Sequence, residues 1–426
     1  MRAWSRILFL VLVILAAGCT GSEPDSETTS VEEVRIGVLA PLTGADKAVG
    51  TDSIRGAQLA ARLLSGEEGQ VSLAGIGADG LARLGRPKVT VVPGDTTGQA
   101  PKGVSEAARL IATERVVGLV GAYHTDVTED AAFRSEREGV PFVSGDASAD
   151  FLTQKGSNWF FRTAPTDQVL TESAFSALEV AGKGSVRSVG ILNATDQQSK
   201  VVALLTRSLA AEGGYRVAAE ATFEPNQQDL TAPVNKIRAG RPDAVFVIPS
   251  APDQTQRAVE TFAQLGYDPP GLLVLGAGHV ETPALQAAGG DSQGLLASAG
   301  WSREVAARNP AAKPVIELYE EEFGKPMSEV AAGSFTAVLT LVKAMDDAGS
   351  IEPDRVRTAL LNLDIPGRDT IMPWNGVRFD ATHQNIGATA VVEQVDSDAL
   401  RVVFPDELAQ EQAKWPLAEA RAPDQG

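Results

Sequence analysis

Val116-Val-Gly-Leu-Val120, a helical stretch from Asp126 to Glu138, and then Val140-Pro-Phe-Val143 read together as strand, helix, strand. Both apolar runs are continuous rather than alternating, the pattern of parallel strands covered on both faces. The same unit extends in both directions. Upstream, Val34-Arg-Ile36-Gly-Val38-Leu39 reads as a strand, Asp52 to Leu64 as a helix and Val89 to Val92 as a second strand. The next helix starts near Pro101 and runs to Thr113, with proline well placed in a first turn. Downstream, after a break, the alternation restarts with strand Val186–Leu192, helix Gln197–Ala211 and strand Tyr215–Phe223. Helix Leu230–Ala239, strand Asp243–Ile248, helix Gln254–Leu265 and strand Leu272–Leu275 complete it. Two such series predict an α/β protein with two doubly wound domains.

The last third changes character. Helices are expected over Glu304–Phe323, Glu329–Ala348 and Pro353–Leu363, and these must return to pack on a domain already formed. Gly376 to Asp380, Gly387 to Gln394 and Leu400 to Phe404 read as short edge-type strands. The charged, Pro/Ala-rich tail after Pro405 is expected to be ordered only in part. Ser65–Pro87, rich in Gly and Ala, reads as a long surface loop.

Composition removes several classes of function. The 426 residues include 37 Lys+Arg against 55 Asp+Glu, a formal charge of −18 that argues against a nucleic-acid partner. The single Cys excludes an intrachain disulfide framework and any cysteine-cluster metal site. Arg2 and Arg6 precede an eleven-residue apolar run, Ile7–Ala17. That is far short of the ~20 residues a membrane-spanning helix needs, and it fits a signal-peptide core. The run leads into Leu15-Ala-Ala-Gly-Cys19, which resembles a bacterial lipobox, although Ala16 stands where leucine is usual. The resemblance implies a signal peptide over residues 1–18, lipidation of Cys19 and a flexible tether over 19–33. The protein is then expected on the outer face of the cell membrane, held by its lipid. An ordinary secretory peptide with an incidental Cys is the other reading.

The order and spacing of several motifs resemble one family. Ile36-Gly-Val-Leu-Ala-Pro41-Leu-Thr43-Gly44, with Gly50 and Gly56-Ala-Gln-Leu-Ala60, is similar to its opening strand, turn and helix. Val89 to Asp95 with Ala107–Ile111, Val117-Gly-Leu-Val-Gly121, and Gly139-Val-Pro-Phe-Val-Ser144 match its next units. Phe161-Arg-Thr163 followed by Pro165 and Asp167-Gln168, then Ala344–Gly349 and Gly376–Asp380, match its later ones. The family is that of the type I periplasmic solute-binding proteins of ABC importers, in the branched-chain amino-acid subfamily. The resemblance covers about Val34 to Pro405. It implies two Rossmann-like lobes joined by three crossovers, the first of residues 31–162 and 302–372, the second of 163–301 and 373–426. It also implies a small-molecule ligand in the cleft, importer membrane subunits as partners, a monomer, and no cofactor.

The loops that end the strands carry the expected site. Gly121-Ala-Tyr-His-Thr125 and Ser144-Gly-Asp-Ala-Ser148 offer hydroxyls and backbone donors beside helix N-termini, where an anion is favoured without Lys or Arg. The resemblance assigns a ligand carboxylate to the hydroxyls of Thr125 and Ser148 with the backbone at Ala147; simple helix capping is the alternative. The residues expected to bind ligand are Thr43, Tyr123, His124, Thr125, Ala147, Ser148, Asp196, Gln198 and His279. Two features depart from the amino-acid binders. Asp196-Gln-Gln-Ser199 carries no aromatic, and Gly276-Ala-Gly-His279 has no acid for an ammonium group, although Asp196 or Glu281 could substitute. A ligand without a free ammonium is therefore expected. His124 and His279, facing one another, suggest either pH-sensitive recognition or local hydrogen bonding, and a metal site lacks clear third and fourth ligands. His383 is expected to be exposed in a turn.

Signatures of catalysis are missing: no His-Glu-x-x-His, Gly-x-Ser-x-Gly or phosphate-binding loop occurs. Acid pairs such as Asp346-Asp347 read as a solvated helix face. The sequence thus points to solute capture for an importer, with a sensory lipoprotein as the first alternative and a secreted enzyme as a remoter one.

Overall fold

The computed structural model describes residues 31–67, 80–276, 289–397 and 399–421. Cys19, His279, Glu281 and most of the 65–87 loop lie outside that set. The first sheet holds β1 (Glu33–Ala40), β2 (Lys88–Asp95), β3 (Gly118–Val120), β4 (Phe142–Ser144) and β5 (Phe160–Arg162) in the order β2-β1-β3-β4-β5, all parallel. The continuous apolar runs have a direct cause. Val120, Val143 and Phe161 point to one core, while their neighbours Leu119, Phe142 and Phe160 point to another on the opposite face.

The second sheet contains β6 (Ser188–Ala194), β7 (Arg216–Phe223), β8 (Ala244–Ile248), β9 (Gly271–Val274), β10 (Leu296–Ala299), β13 (Val391–Asp396) and β14 (Ala399–Phe404). Its order is β14-β13-β10-β9-β8-β6-β7. It is parallel from β7 to β10 and finishes with the antiparallel pair β13 and β14. β11 (Ile365–Pro366) and β12 (Gly376–Val377) form a small ribbon of their own. The chain therefore leaves the first sheet after β5, returns to it after β10 and leaves again before β13. Three crossovers join two lobes.

The helices after β10 pack on the first sheet, as expected. Glu329–Ala348 is buried along most of its length and shares a core with Lys47–Leu64 and the strands β1 and β3. Backbone meets backbone where these two helices cross, because a Cβ on Gly56 would lie 2.0 Å from the Ala331 carbonyl oxygen. Ser328 caps the buried helix through the Ala331 N–H.

Four expectations need correction. The helix read over Glu304–Phe323 is two helices, Arg303–Ala306 and Lys313–Phe323, since Pro310 lacks the N–H that a continuous helix would use. Helix Asp167–Gly182 occupies the break between the two series. Its many Ala, Ser and Thr residues blur its periodicity, although its buried positions fall on one broad face. Strand β10, Leu-Ala-Ser-Ala, is similarly too small in side chain to announce itself. His383 is buried, not exposed: its ring stacks on Phe161 at 4.2 Å and its Nδ1 lies 3.0 Å from the Phe160 carbonyl oxygen. Burial holds that imidazole below its usual pKa.

Candidate ligand-binding cleft

In each sheet the strand order reverses once, between β1 and β3 in the first and between β6 and β8 in the second. Loops at the carboxyl ends of strands flanking such a reversal splay apart and leave a crevice. Here both crevices open onto one cleft of about 630 Å³. Its walls include Asp46 and His124 from the first sheet, and Asp196, Ser199 and Ser250 from the second.

The first-lobe wall is built by short-range bonds. Asp95, at the end of β2, accepts from the N–H groups of Leu42 and Thr97 through Oδ1 and from the Thr43 hydroxyl through Oδ2. Burial pushes its carboxyl up, but these bonds outweigh it and hold the group below its usual range. Thr43 is thus an exposed loop-former and does not line the cleft, contrary to expectation. Tyr123 sits at φ 75° with its ring edge-on to His124. His124 Nε2 lies 3.1 Å from Asp46 Oδ2.

Thr125 is the first residue of helix Thr125–Glu138 but caps nothing. Its hydroxyl donates across the cleft to Gln198 Oε1 at 2.9 Å. Gln198 Nε2 in turn donates to Asp167 Oδ2, and the Asp167 N–H donates to the Ser148 carbonyl oxygen at 2.8 Å. Thr125, Gln198, Asp167 and Ser148 therefore form one chain of bonds joining the two walls. Burial raises the Asp167 pKa to about 6, with Asp150 adding to the rise and Ser148, Arg162 and Gln198 opposing it.

The loop Ala147–Ala149 is held from beneath by Arg162. This fully buried guanidinium donates to the Ala149 oxygen at 2.5 Å, to the Ala147 oxygen at 3.3 Å and to Gln384 Oε1 at 2.6 Å. Next to it, Asp146 Oδ1 is buried with no hydrogen-bond partner among the described residues. Burial, reinforced by Glu329, pushes that carboxyl up to about 7.

On the second wall, Asp196 caps helix Gln197–Glu212, its Oδ1 accepting from the Ser199 N–H at 2.9 Å. Its Oδ2 has no partner among the described residues, and neither does the hydroxyl of Ser199, which is 1% exposed. Arg257 is tied to Asp253 at 2.9 Å and to the Pro225 carbonyl oxygen at 3.1 Å.

The structure thus brings Tyr123, His124, Thr125, Ala147, Ser148, Asp196 and Gln198 to one cleft. Sequence reasoning missed Asp146, Asp167, Ser199 and Arg162 as contributors. Asp146 and Ser199 lie inside the quoted loops, so their position was the available signal. The expectation of a ligand without an ammonium group rested on the acid-free loop 276–279. The other loops bring Asp46, Asp126, Asp146, Asp167, Asp196 and Asp253 to the walls, acids that the expectation did not weigh together. Among the described residues, no group of three His, Cys, Asp or Glu could hold a metal ion.

Residues 33–399 match the periplasmic binding protein family. The chain belongs to that family. It is similar to Leu/Ile/Val-binding protein homolog 8 of Brucella abortus (strain 2308), 25% identical over 391 residues, covering 90% of this chain and 93% of the relative. Homolog 7 of Brucella suis biovar 1 (strain 1330) is 23% identical over 419 residues, covering 96% and 99%. Among solved structures, the LivJ substrate-binding protein of Streptococcus pneumoniae in complex with isoleucine superposes with a TM-score of 0.73 at 21% identity, over 88% of this chain and 100% of that one. A solute-binding protein of R. palustris in complex with benzoate gives 0.72 at 16% identity, over 87% and 95%. These likenesses establish the fold as that of the two-lobed type I periplasmic binding proteins. The relatives and neighbours so named are Leu/Ile/Val-binding protein homologues and solute-binding proteins of ABC transporters.

Proposed function

We propose that this protein captures a small polar solute, of about amino-acid size, in the cleft between its lobes and delivers it to the membrane subunits of an ABC importer. The observation that carries the reading is the convergence of both strand-order reversals on one cleft. Polar side chains there are buried, and several still have unused hydrogen-bonding capacity. Such concave, preformed sites are where small molecules bind, and a hinge at the crossovers lets the lobes close over them. The lobes are taken as residues 31–162 with 302–372 and 163–301 with 373–426. The protein acts as a monomer, tethered outside the cell membrane through lipid on Cys19, and performs no chemistry on its cargo.

A thermal-shift screen of the full chain in detergent against amino acids, amides, amines, urea and small aromatic acids tests the reading. A solute that binds only the folded state adds about 2.7 kcal/mol at ~100 times its Kd. Stabilisation by a solute that is lost in the Thr125→Val, Ser148→Ala double variant supports cleft binding. Stabilisation unchanged by that variant contradicts it.

A further inference from the structure

We infer that the ligand of this cleft is an organic cation, an amine or amidinium, that carries no carboxylate. This rests on the solute-binding reading and narrows it. Three features of the walls lead there.

The first is charge. Among the described residues six aspartates line the cleft, two of them, Asp146 and Asp167, with pKa values raised by burial, and the one arginine is engaged by Asp253 and by a carbonyl. His124 is similarly placed beside Asp46. An anion entering between these walls meets a field of its own sign, whereas a cation is concentrated by it.

The second is the state of the hydroxyls that would hold a carboxylate. Thr125 donates to the Gln198 carbonyl oxygen, and the Ser148 hydroxyl lies close enough to the Asp167 carboxylate to oppose the rise in its pKa. The Gln198 side-chain amide therefore stands where a ligand carboxylate would sit. A carboxylate could displace it only by settling against Asp167, which then loses the amide donor that Gln198 supplies. Like charges brought together in a desolvated site repel strongly.

The third is the set of groups without partners. Asp196 Oδ2, Asp146 Oδ1, the almost wholly buried Ser199 hydroxyl, His124 Nδ1 and Arg257 Nε lack hydrogen bonds among the described residues. The two carboxylate oxygens only accept when ionised and the hydroxyl can accept as well, whereas Arg257 Nε alone is confined to donating. What the accepting majority needs is a donor. A protonated amine brings three N–H donors and an amidinium four, together with the opposite charge. The near-neutral pKa of Asp146 fits a carboxyl that no cation yet faces.

The test is calorimetric titration of the full chain in detergent with probes that differ mainly in charge. They are 3-methylbutylamine, leucinamide and agmatine as cations, leucine as the zwitterion and 4-methylpentanoate as the anion. At least one cation should bind about tenfold or more tightly than leucine and 4-methylpentanoate. Asp196→Asn keeps the helix-capping oxygen and so the fold, but should weaken that cation at least about tenfold. Ser199→Ala should weaken it less. Tighter binding of leucine or 4-methylpentanoate than of every cation overturns the inference and leaves solute capture standing. Silent cations, with some neutral or anionic solute stabilising the protein through the cleft, overturn it in the same way. If no solute of any charge binds, the inference and the solute-binding reading both fall.

Discussion

Arg162 is completely buried, and it is the residue on which the first-lobe loop depends. Its guanidinium donates to the carbonyl oxygens of Ala147 and Ala149 and to Gln384, so one side chain couples the cleft loop to the segment around β12. Burial lowers its pKa to about 10 against the pull of Asp150, Asp167 and Asp380, and at neutral pH it stays charged. Arg162→Met would leave those carbonyls and three carboxylates uncompensated. A loss of about 3–5 kcal/mol in urea unfolding is expected, and a loss below ~1 kcal/mol would contradict this role.

Glu393 shows the opposite situation. Burial drives its carboxyl up to about 8, Glu329 and Glu304 push the same way, and the neighbouring Ser302 hydroxyl opposes them. In the unfolded chain the group titrates near its ordinary value of about 4.3. Below that pH both states are protonated and nothing is lost. As pH rises toward 8 the unfolded chain releases its proton first, so stability falls across this window and the penalty is complete above it. Glu393→Gln should flatten the decline in melting temperature between pH 5 and 8 and leave the variant the more stable by ~2–4 kcal/mol at pH 9. Parallel pH profiles for variant and parent would refute this.

Helix Glu329–Ala348 sets the position of the cleft loop. A Cβ on Gly333 would lie 2.5 Å from the Gly145 carbonyl oxygen and 3.0 Å from Asp146 Oδ1. Helix backbone and loop backbone are therefore in direct contact. Gly333→Ala must displace residues 145–148, at a cost of ~1–3 kcal/mol in stability. It should also weaken the solute found by screening, although residue 333 is not in the cleft. Unchanged affinity would show that the loop adapts without consequence. At this scale the sequence is also most readable. Strands with both faces buried leave unbroken apolar runs, and long helices such as Glu329–Ala348 keep their period, so both were legible at nearly their observed bounds. Helix Asp167–Gly182 and strand β10 were not, since small side chains bury well without showing a pattern. The cleft divides in the same way. Thr125 and Ser148 were legible because they precede or follow strand ends. The Thr125–Gln198 bond spans 73 residues and the two lobes, and no local pattern encodes it. Nor does one reveal that Thr43 turns toward Asp95.

The whole molecule presents two α/β units whose strand-order reversals face one another, with an acidic cleft between them. Its proposed setting outside the membrane depends on Cys19, the only cysteine. Cys19→Ser should abolish incorporation of a fatty-acid analogue in the producing cell; full labelling of the variant would refute lipid anchoring. The central claim is that a small solute is held between the lobes, and a crystal structure of the complex with the most stabilising solute tests it most directly. The account predicts ligand density enclosed by both walls, within hydrogen-bonding distance of Asp196 or Ser199 on one side and of the Tyr123–Thr125 or Asp146–Ser148 loop on the other. Density bound outside this cleft, or touching one lobe alone with the cleft still open, would contradict it.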